Sequence, residues 1–346
     1  MNAIEPNIAH EGRGSRTITR RDLRDVVVAH GFDRILRDPE TPEDCLALLR
    51  KLFQIGFRDL SMARLVEGHV DAIQIACRLG TDEQREDLAA ALARGALLGV
   101  WNAPHPQNKL ELDKGRLHGG KSYASGAGIL THALATADAR GRNQQLILLD
   151  LEQQEPKIDT TFWQPIGMKP TATHQVSWKG AKIKPEQWLG QAGDYEREPW
   201  FSAGALRFVA AQVGAISAIA NETIADLRRR RRADHPFQQL RLARMLAAQR
   251  SVVGYMEKAA VHVGGNSERL LAEVALARAA TYTAGDEIIT LAQQSVGLQG
   301  LMDDHPLSSK LTDLMVYLRQ PGPDAQTVKV AEAFASGTLP LSWTNL

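Results

Sequence analysis

The sequence predicts a mainly α-helical protein with a small β-barrel or β-sandwich in the middle of the chain and a four-helix bundle after it. Apolar residues recur at three- and four-residue spacing before residue 96, which is the period of amphipathic helices. Short apolar runs separated by glycine and proline then indicate strands, and the helical period returns afterwards. We therefore predict a loose N-terminal arm (1–20), an N-terminal helical domain (21–96), a middle β-domain (97–195) and a C-terminal helical bundle (196–346).

The composition excludes several classes of protein. The 346 residues carry a net charge of +1 at pH 7, so no excess of charge indicates a nucleic-acid or membrane partner. No apolar run reaches the roughly 18 residues that suggest a spanning helix. The two cysteines, Cys45 and Cys77, are too few for a disulfide framework or a zinc site. We expect a cytoplasmic protein without a metal site.

Local patterns place the individual elements. The mixture of apolar and polar side chains at residues 59–69 predicts a buried helix with one polar side. Thr81, which is followed by acidic residues, is typical of a helix N-cap. Strand candidates lie at residues 98–101, 133–137, 145–149 and 175–178. Bundle helices are predicted at residues 202–232, 237–263, 268–291 and 308–318, and the last is expected to end before Pro321 and Pro323.

The C-terminal region contains a distinctive motif. Gln294, Gly297 and Gly300 form a Gln-x-x-Gly-x-x-Gly pattern, and Asp313 and Tyr317 follow as Asp-x-x-x-Tyr. These two motifs resemble the C-terminal, flavin-contacting segment of the acyl-CoA dehydrogenase family. The order of helices, β-domain and helical bundle in that family is also the order predicted here. The resemblance implies an FAD cofactor and a homodimer or homotetramer, since this segment touches the FAD of a neighbouring subunit near its adenosine diphosphate. The simpler interpretation is a helix C-cap at Gly297 and a turn at Gly300.

Two segments of the middle region resemble the flavin-binding strands of the same family. Trp101-Asn102-Ala103-Pro104 falls where the family has x-Thr-Glu-Pro, which lines the isoalloxazine ring and offers backbone donors to its pyrimidine edge. Residues 117–126 are similar to the family's Leu-x-Gly-x-Lys-x-Trp/Tyr strand, with Tyr123 at the aromatic position. The resemblance places the hydroxyl of Ser125 near flavin N5 and O4. A β-hairpin in which Ser125-Gly126 is only a turn is the alternative.

The pyrophosphate site departs from the family pattern. The family has an arginine three residues before the phenylalanine of an inter-helix loop, and here that position is Asp234. Arg231 or Arg232 could supply the positive charge instead, because a guanidinium fork suits phosphate.

The position of the family's catalytic base also departs from the pattern. The carboxylate normally lies four residues after the tyrosine, and here that residue is Pro321, which cannot accept a proton. His105 is one substitute, because imidazole titrates near neutrality, although a surface histidine is the simpler interpretation. Asp324 is another substitute, for which a solvated loop acid is the simpler interpretation. Trp200 and Phe201, with Pro321, are candidates for the wall of the substrate cavity.

The resemblance implies an FAD-dependent oxidoreductase that acts on the CH–CH group of an acyl thioester or related small-molecule substrate, bound to CoA or to an acyl carrier. The loss of the carboxylate leaves two alternatives open. One is a monooxygenase of the same fold that uses reduced flavin and O2. The other is a non-catalytic homologue that acts as a binding or scaffold protein.

Overall fold

The computed structural model describes residues 17–139, 144–319 and 322–341. The first helices are capped by the side chains of Thr19, Thr41, Asp59 and Thr81, each of which accepts a hydrogen bond from the backbone N–H three residues later. Such caps satisfy N–H groups that have no partner inside the helix. The predicted N-cap at Thr81 is confirmed. The helices are α1 (Arg20–Ala29), α2 (Pro42–Arg58), α3 (Leu60–Leu79) and α4 (Asp82–Ala93).

The strands form one hydrogen-bonded sheet in the order β6-β7-β3-β2-β4-β5-β8, and β1 pairs in parallel with β4. All four predicted strand runs lie within β1, β4, β5 and β7, so these predictions are confirmed. The strands β2, β6 and β8 were not predicted, because two- and three-residue strands carry too little alternation to be recognised. The strands are β1 (Leu98–Trp101), β2 (Glu111–Asp113), β3 (Arg116–Ala124), β4 (His132–Ala139), β5 (Gln144–Asp150), β6 (Lys157–Asp159), β7 (His174–Lys182) and β8 (Trp188–Leu189).

The predicted bundle helices are confirmed, with two differences. The first one is interrupted at Gly204, which separates a single turn from a long helix. Pro323 does not end the helical region but is the first residue of an additional helix. The N–H groups in the first turn of a helix have no partner inside the helix, so the N–H that proline lacks is not missed there. The helices are α5 (Trp200–Ala203), α6 (Ala205–Arg229), α7 (Pro236–Ala260), α8 (Ser267–Val296), α9 (Pro306–Tyr317) and α10 (Pro323–Ala335).

Helix α6 is the central helix of the protein and packs closely against α2. A side chain at Gly56 would overlap the backbone of Ala211, and one at Gly214 would overlap the backbone of Phe53. Two helices therefore meet backbone to backbone at this crossing, which only glycine permits. The segment Trp200–Arg229 is long and apolar enough to cross a membrane, contrary to the expectation that no apolar run has that length. Most of that stretch is buried in the protein, as expected for a core helix of a bundle.

Candidate functional site

The end of β1 and the strand β3 lie side by side. The backbone N–H of Ser122 donates to the carbonyl of Ala103 at 3.0 Å, and the indole Nε1 of Trp101 donates to the carbonyl of Ser125 at 2.9 Å. The two segments that resemble the flavin-binding strands are thus joined by hydrogen bonds. The structure therefore brings Trp101, Asn102 and Ser125 into one site.

The side chain of Trp101 belongs to the core of the sheet. It is 1% exposed, and its ring lies 6.4 Å from that of Trp178. Only the backbone of Trp101 is therefore available to a ligand. The indole instead holds the turn at Ser125 in place.

Ser125 combines a turn with a hydroxyl that can still donate. Residues 125–129 form a turn in which Gly126 has a φ of +77°, so the turn interpretation is confirmed for the backbone. The hydroxyl of Thr173 donates to Ser125 Oγ at 3.0 Å. Among the described residues no acceptor takes the proton of Ser125 Oγ, although the residue is only 7% exposed. A hydroxyl that accepts one hydrogen bond still has an O–H group, which can donate to an acceptor atom of a ligand.

Tyr123 has a backbone conformation that side chains rarely adopt. Its φ is +53°, in the left-handed region, and half of the residue is exposed. The ring lies edge-on to those of Phe162, at 5.2 Å, and Trp163, at 6.4 Å. This strained position keeps an aromatic ring at the surface of the sheet, two residues before Ser125. Such outliers cluster at ligand sites.

Asn102 is the centre of a polar group at the junction of sheet and helices. Its amide oxygen accepts from the hydroxyl of Thr136, and its carbonyl accepts from Lys121 Nζ at 3.3 Å. Tyr195 also hydrogen-bonds to the Asn102 side chain. Burial raises the pKa of Tyr195 and lowers the pKa of Lys121 to about 8, since a buried site disfavours charge.

Two acids on α3, the buried Glu67 and the half-buried Asp71, continue this polar region into the helices. The hydroxyl of Tyr317 on α9 donates to Glu67 at 2.9 Å, and Arg64 donates to the same carboxylate at 2.5 Å. Burial raises the pKa of Glu67, and the charge of Arg64 opposes that shift. One turn later Asp71 is paired with Arg207 on α6. The sequence indicates the polar side of this helix, but Arg207 and Tyr317 lie more than 130 residues away from the acids they contact, so no local spacing reveals these two partners.

A cavity of about 780 Å³ lies between the N-terminal helices and the start of α6. Its apolar part includes Leu49 and the two free cysteines Cys45 and Cys77, and Trp200 also borders it. Phe201 instead packs edge-on against Tyr195 at 5.4 Å. Arg207 lines the cavity and also contacts Asp71, so the cavity borders the polar region that reaches Asn102.

The residues predicted to contact the adenosine diphosphate lie at the opposite end of the bundle. Gln294 and Arg232 are exposed. Gly297 ends α8 with a φ of +74°, and a side chain there would meet open space, so the predicted C-cap is confirmed. A side chain at Gly300 would press on Val296 and Leu307, which gives that glycine a packing role. Among the described residues this end makes no extensive contact with the strands, so one protomer does not join it to Ser125.

The two candidates for the base are placed differently. His105 is half-buried just after the Asn102 strand end, and its Nδ1 accepts from the backbone N–H of Gln107 at 3.3 Å. Asp324 is exposed in the first turn of α10, where a carboxylate stabilises the helix dipole. Pro321 lies outside the described residues. Within the described ranges no three His, Cys, Asp or Glu side chains are grouped to hold a metal ion.

Known proteins share this architecture. The chain is similar to TdsC from Paenibacillus sp. A11-2 in complex with FMN and indole, with a TM-score of 0.79 and 14% identity over 92% of this chain and 91% of TdsC. It is similar to butyryl-CoA dehydrogenase from Megasphaera elsdenii, with a TM-score of 0.74 and 14% identity over 95% and 99% of the two chains. It is also similar to KijD3 in complex with FMN and a dTDP-linked amino sugar, with a TM-score of 0.74 and 17% identity over 92% and 94%.

In sequence, no curated protein matches the chain. Residues 198–329 match the sequence model of the acyl-CoA dehydrogenase C-terminal domain. The predicted fold class and the resemblance to the acyl-CoA dehydrogenase family are confirmed. The chain therefore has the acyl-CoA dehydrogenase fold, and its residues 198–329 are similar in sequence to acyl-CoA dehydrogenase C-terminal domains.

Proposed function

We propose that the protein is a flavin-dependent oxidoreductase that holds the isoalloxazine ring against residues 101–104 and Ser125. The observation that supports this most is the hydrogen-bonded pair of segments, which brings Ser125 beside the backbone of residues 101–104. Similar folds in TdsC and KijD3 hold FMN. A bound flavin would supply hydride or oxygen chemistry, and the chain would bind and orient the ring.

The form of the flavin depends on the phosphate site. FAD is the predicted cofactor, and Arg232 and Gln294 are exposed at the bundle end, where a second protomer would have to bring them to the flavin. Asp234 at the family's arginine position disfavours a pyrophosphate, and two of the similar structures hold FMN rather than FAD. Purified protein with absorbance near ~450 nm, followed by mass analysis of the released flavin, distinguishes the two. Colourless protein that takes up neither flavin supports the non-catalytic alternative.

Two reactions are compatible with the proposed flavin site. Dehydrogenation of an acyl thioester, the reaction predicted from the sequence, needs a free base near the substrate. Glu67 and Asp71, the acids of the α3 polar region, are each paired with an arginine. This observation favours the second candidate, a monooxygenase that uses reduced flavin and O2 and needs no carboxylate base.

An anaerobic mixing experiment separates these two chemistries. Flavin-loaded protein is mixed with a series of acyl-CoA thioesters without oxygen, and absorbance near ~450 nm is followed. Bleaching by the thioester alone means dehydrogenation. Bleaching only after a reductase or chemical reductant is added, followed by substrate-dependent oxygen uptake, means monooxygenation.

The free, buried cysteines suit the reducing cytoplasm that we propose as the location.

Ser125→Ala is expected to weaken flavin binding by about five- to tenfold, because one hydrogen bond to the ring is lost. Fluorescence titration of the apoprotein with FMN and with FAD measures the change. Ser122→Ala, three residues earlier on β3, is the matched control and should leave the affinity unchanged, since its hydroxyl accepts from Gln175 instead. Equal affinities for wild type and Ser125→Ala would remove Ser125 from the site.

We also propose a homodimer or homotetramer. At the bundle end Phe237 and Leu240 on α7 are exposed, and so are Leu298, Leu301 and Met302 after α8. The amide of Gln238 donates to the carbonyl of Ser295 at 3.3 Å, which places these two groups at one end of the bundle. Exposed apolar groups of this kind mark protein interfaces.

Leu240→Glu together with Leu298→Glu is expected to shift the protein to a smaller species, because two charges would be buried in the interface. Light scattering after gel filtration measures the mass. Val28→Glu, an exposed apolar residue on α1, is the control for added charge. A wild-type protein that is monomeric at high concentration contradicts the proposal.

A further inference from the structure

Lys121 is a buried cation in the middle of the sheet. The residue is 3% exposed on β3, and its Nζ donates to the hydroxyl of Thr136 on β4 at 2.9 Å and to the carbonyl of Asn102 at 3.3 Å. Both acceptors are neutral. An ammonium group has three N–H donors, so these two contacts do not use all of them.

The charge of Lys121 has no counter-ion in the described chain. No carboxylate lies within ion-pair distance of its Nζ among the described residues, and the one acid whose charge favours the ammonium form is Asp138. Asp138 already accepts from the amide of Gln144 at 3.0 Å. Ala103, next to Asn102, stands where the resembling motif has a glutamate. A buried cation without a partner is costly, so an anionic ligand at this place would be stabilised.

The other charged groups around Asn102 do not compensate Lys121. Burial raises the pKa of Tyr195, which keeps its hydroxyl neutral. On the helix side Asp71 is paired with Arg207, so its charge is already balanced. Of these three groups around Asn102, Lys121 is therefore the one that carries a charge without an ion-pair partner.

We propose that Lys121 is the electrostatic partner of the flavin's pyrimidine edge and favours reduced over oxidised flavin. A reduced flavin bound in the proposed site would carry negative charge on its N1 and C2 carbonyl side, towards Asn102. Protonated Lys121, whose Nζ donates to the Asn102 carbonyl at 3.3 Å, would balance that charge through the Asn102 peptide. The inference rests on the proposed flavin site and names a positioning residue there.

The test compares Lys121→Met with wild type in two measurements that do not depend on turnover. The first is the dissociation constant of the apoprotein for oxidised FMN and FAD. The second is the midpoint potential of the bound flavin. We expect reduced flavin to lose about tenfold more affinity than oxidised flavin, which corresponds to a potential about 30 mV lower for a two-electron couple. Lys179→Met, an exposed lysine on β7, is the matched control and should not change the potential.

Two further variants guard against a folding defect. Lys121→Gln keeps a donor for Thr136 without the charge and should show the same shift, and Lys121→Arg keeps the charge and should largely preserve the wild-type potential. If the wild-type protein binds flavin, and the bound flavin has the same midpoint potential in Lys121→Met, Lys121→Gln and wild type, the inference about Lys121 is wrong while the proposed flavin site stands. Wild type that binds neither flavin overturns the proposed function together with it.

Discussion

Gly214→Ala and Gly56→Ala are each expected to destabilise the protein by about 3 kcal/mol. An added methyl at Gly214 would lie 2.8 Å from the backbone nitrogen of Phe57 and overlap the carbonyl of Phe53. At Gly56 it would meet the backbone of Ala211. Backbone atoms inside a helix cannot turn aside as a side chain can, so α2 and α6 would have to separate. Urea unfolding, with the midpoint and slope fitted together, measures the loss.

Gly254→Ala is the matched control for this prediction. Gly254 lies in the interior of α7, and a methyl group there would meet nothing within 4 Å. Alanine forms helix better than glycine, so this change should stabilise the protein by about 0.5 to 1 kcal/mol. Similar stabilities for Gly214→Ala and Gly254→Ala would mean that the helices are not in contact at this crossing.

Arg64→Met is expected to destabilise the protein by about 3 kcal/mol near neutral pH, because it leaves the buried carboxylate of Glu67 without its cation. Tyr317 would still donate one hydrogen bond to the carboxylate. Arg21→Met, which removes a highly exposed partner of Asp25, is the control and should produce no measurable change. Unfolding of both variants in urea gives the comparison.

The loss in Arg64→Met should grow with pH. Burial raises the folded-state pKa of Glu67, so its protonated form is favoured on folding. A raised pKa gives stability that is fully present below the unfolded value of about 4.3 and is lost as pH rises through the folded value. Without Arg64 the folded pKa rises further, so the deficit should be larger at about pH 8 than at about pH 5. A deficit that is independent of pH would show that Glu67 is not the group involved.

The double variant Arg64→Met with Glu67→Leu completes the cycle. Removing both charges leaves apolar groups in place of the pair, so most of the lost stability should return. A double variant no more stable than Arg64→Met would indicate that packing around α3, rather than the charge, causes the loss.

Much of the fold could be predicted because its signals are local. The N-cap at Thr81, the strand at residues 145–149 and the period of the bundle helices each depend on residues within a few positions of one another. Pro323 shows the limit of such signals, since proline both ends helices and begins them. The neighbouring structure decides which of the two occurs.

The candidate site divides in the same way. The motifs around Asn102 and Ser125 were recognised from their resemblance, and the structure adds the hydrogen bonds that join them. Lys121 lay inside the recognised strand, yet its missing counter-ion becomes visible only when Thr136 and Asn102 are placed around it. The pairing of Glu67 with Tyr317 spans 250 residues, and no spacing in the chain indicates it.

The sequence alone determined the order of the predicted helices and strands, the N-cap at Thr81, and the motifs that resemble a flavin-binding fold. Those properties follow from turn chemistry, helical period and capping, which act over a few residues. Only the tertiary structure decided which charges are buried, which of them are paired, and where α2 and α6 touch. Burial and charge pairing depend on side chains brought together from distant parts of the chain, and their energies exist only once the helices and the sheet have packed.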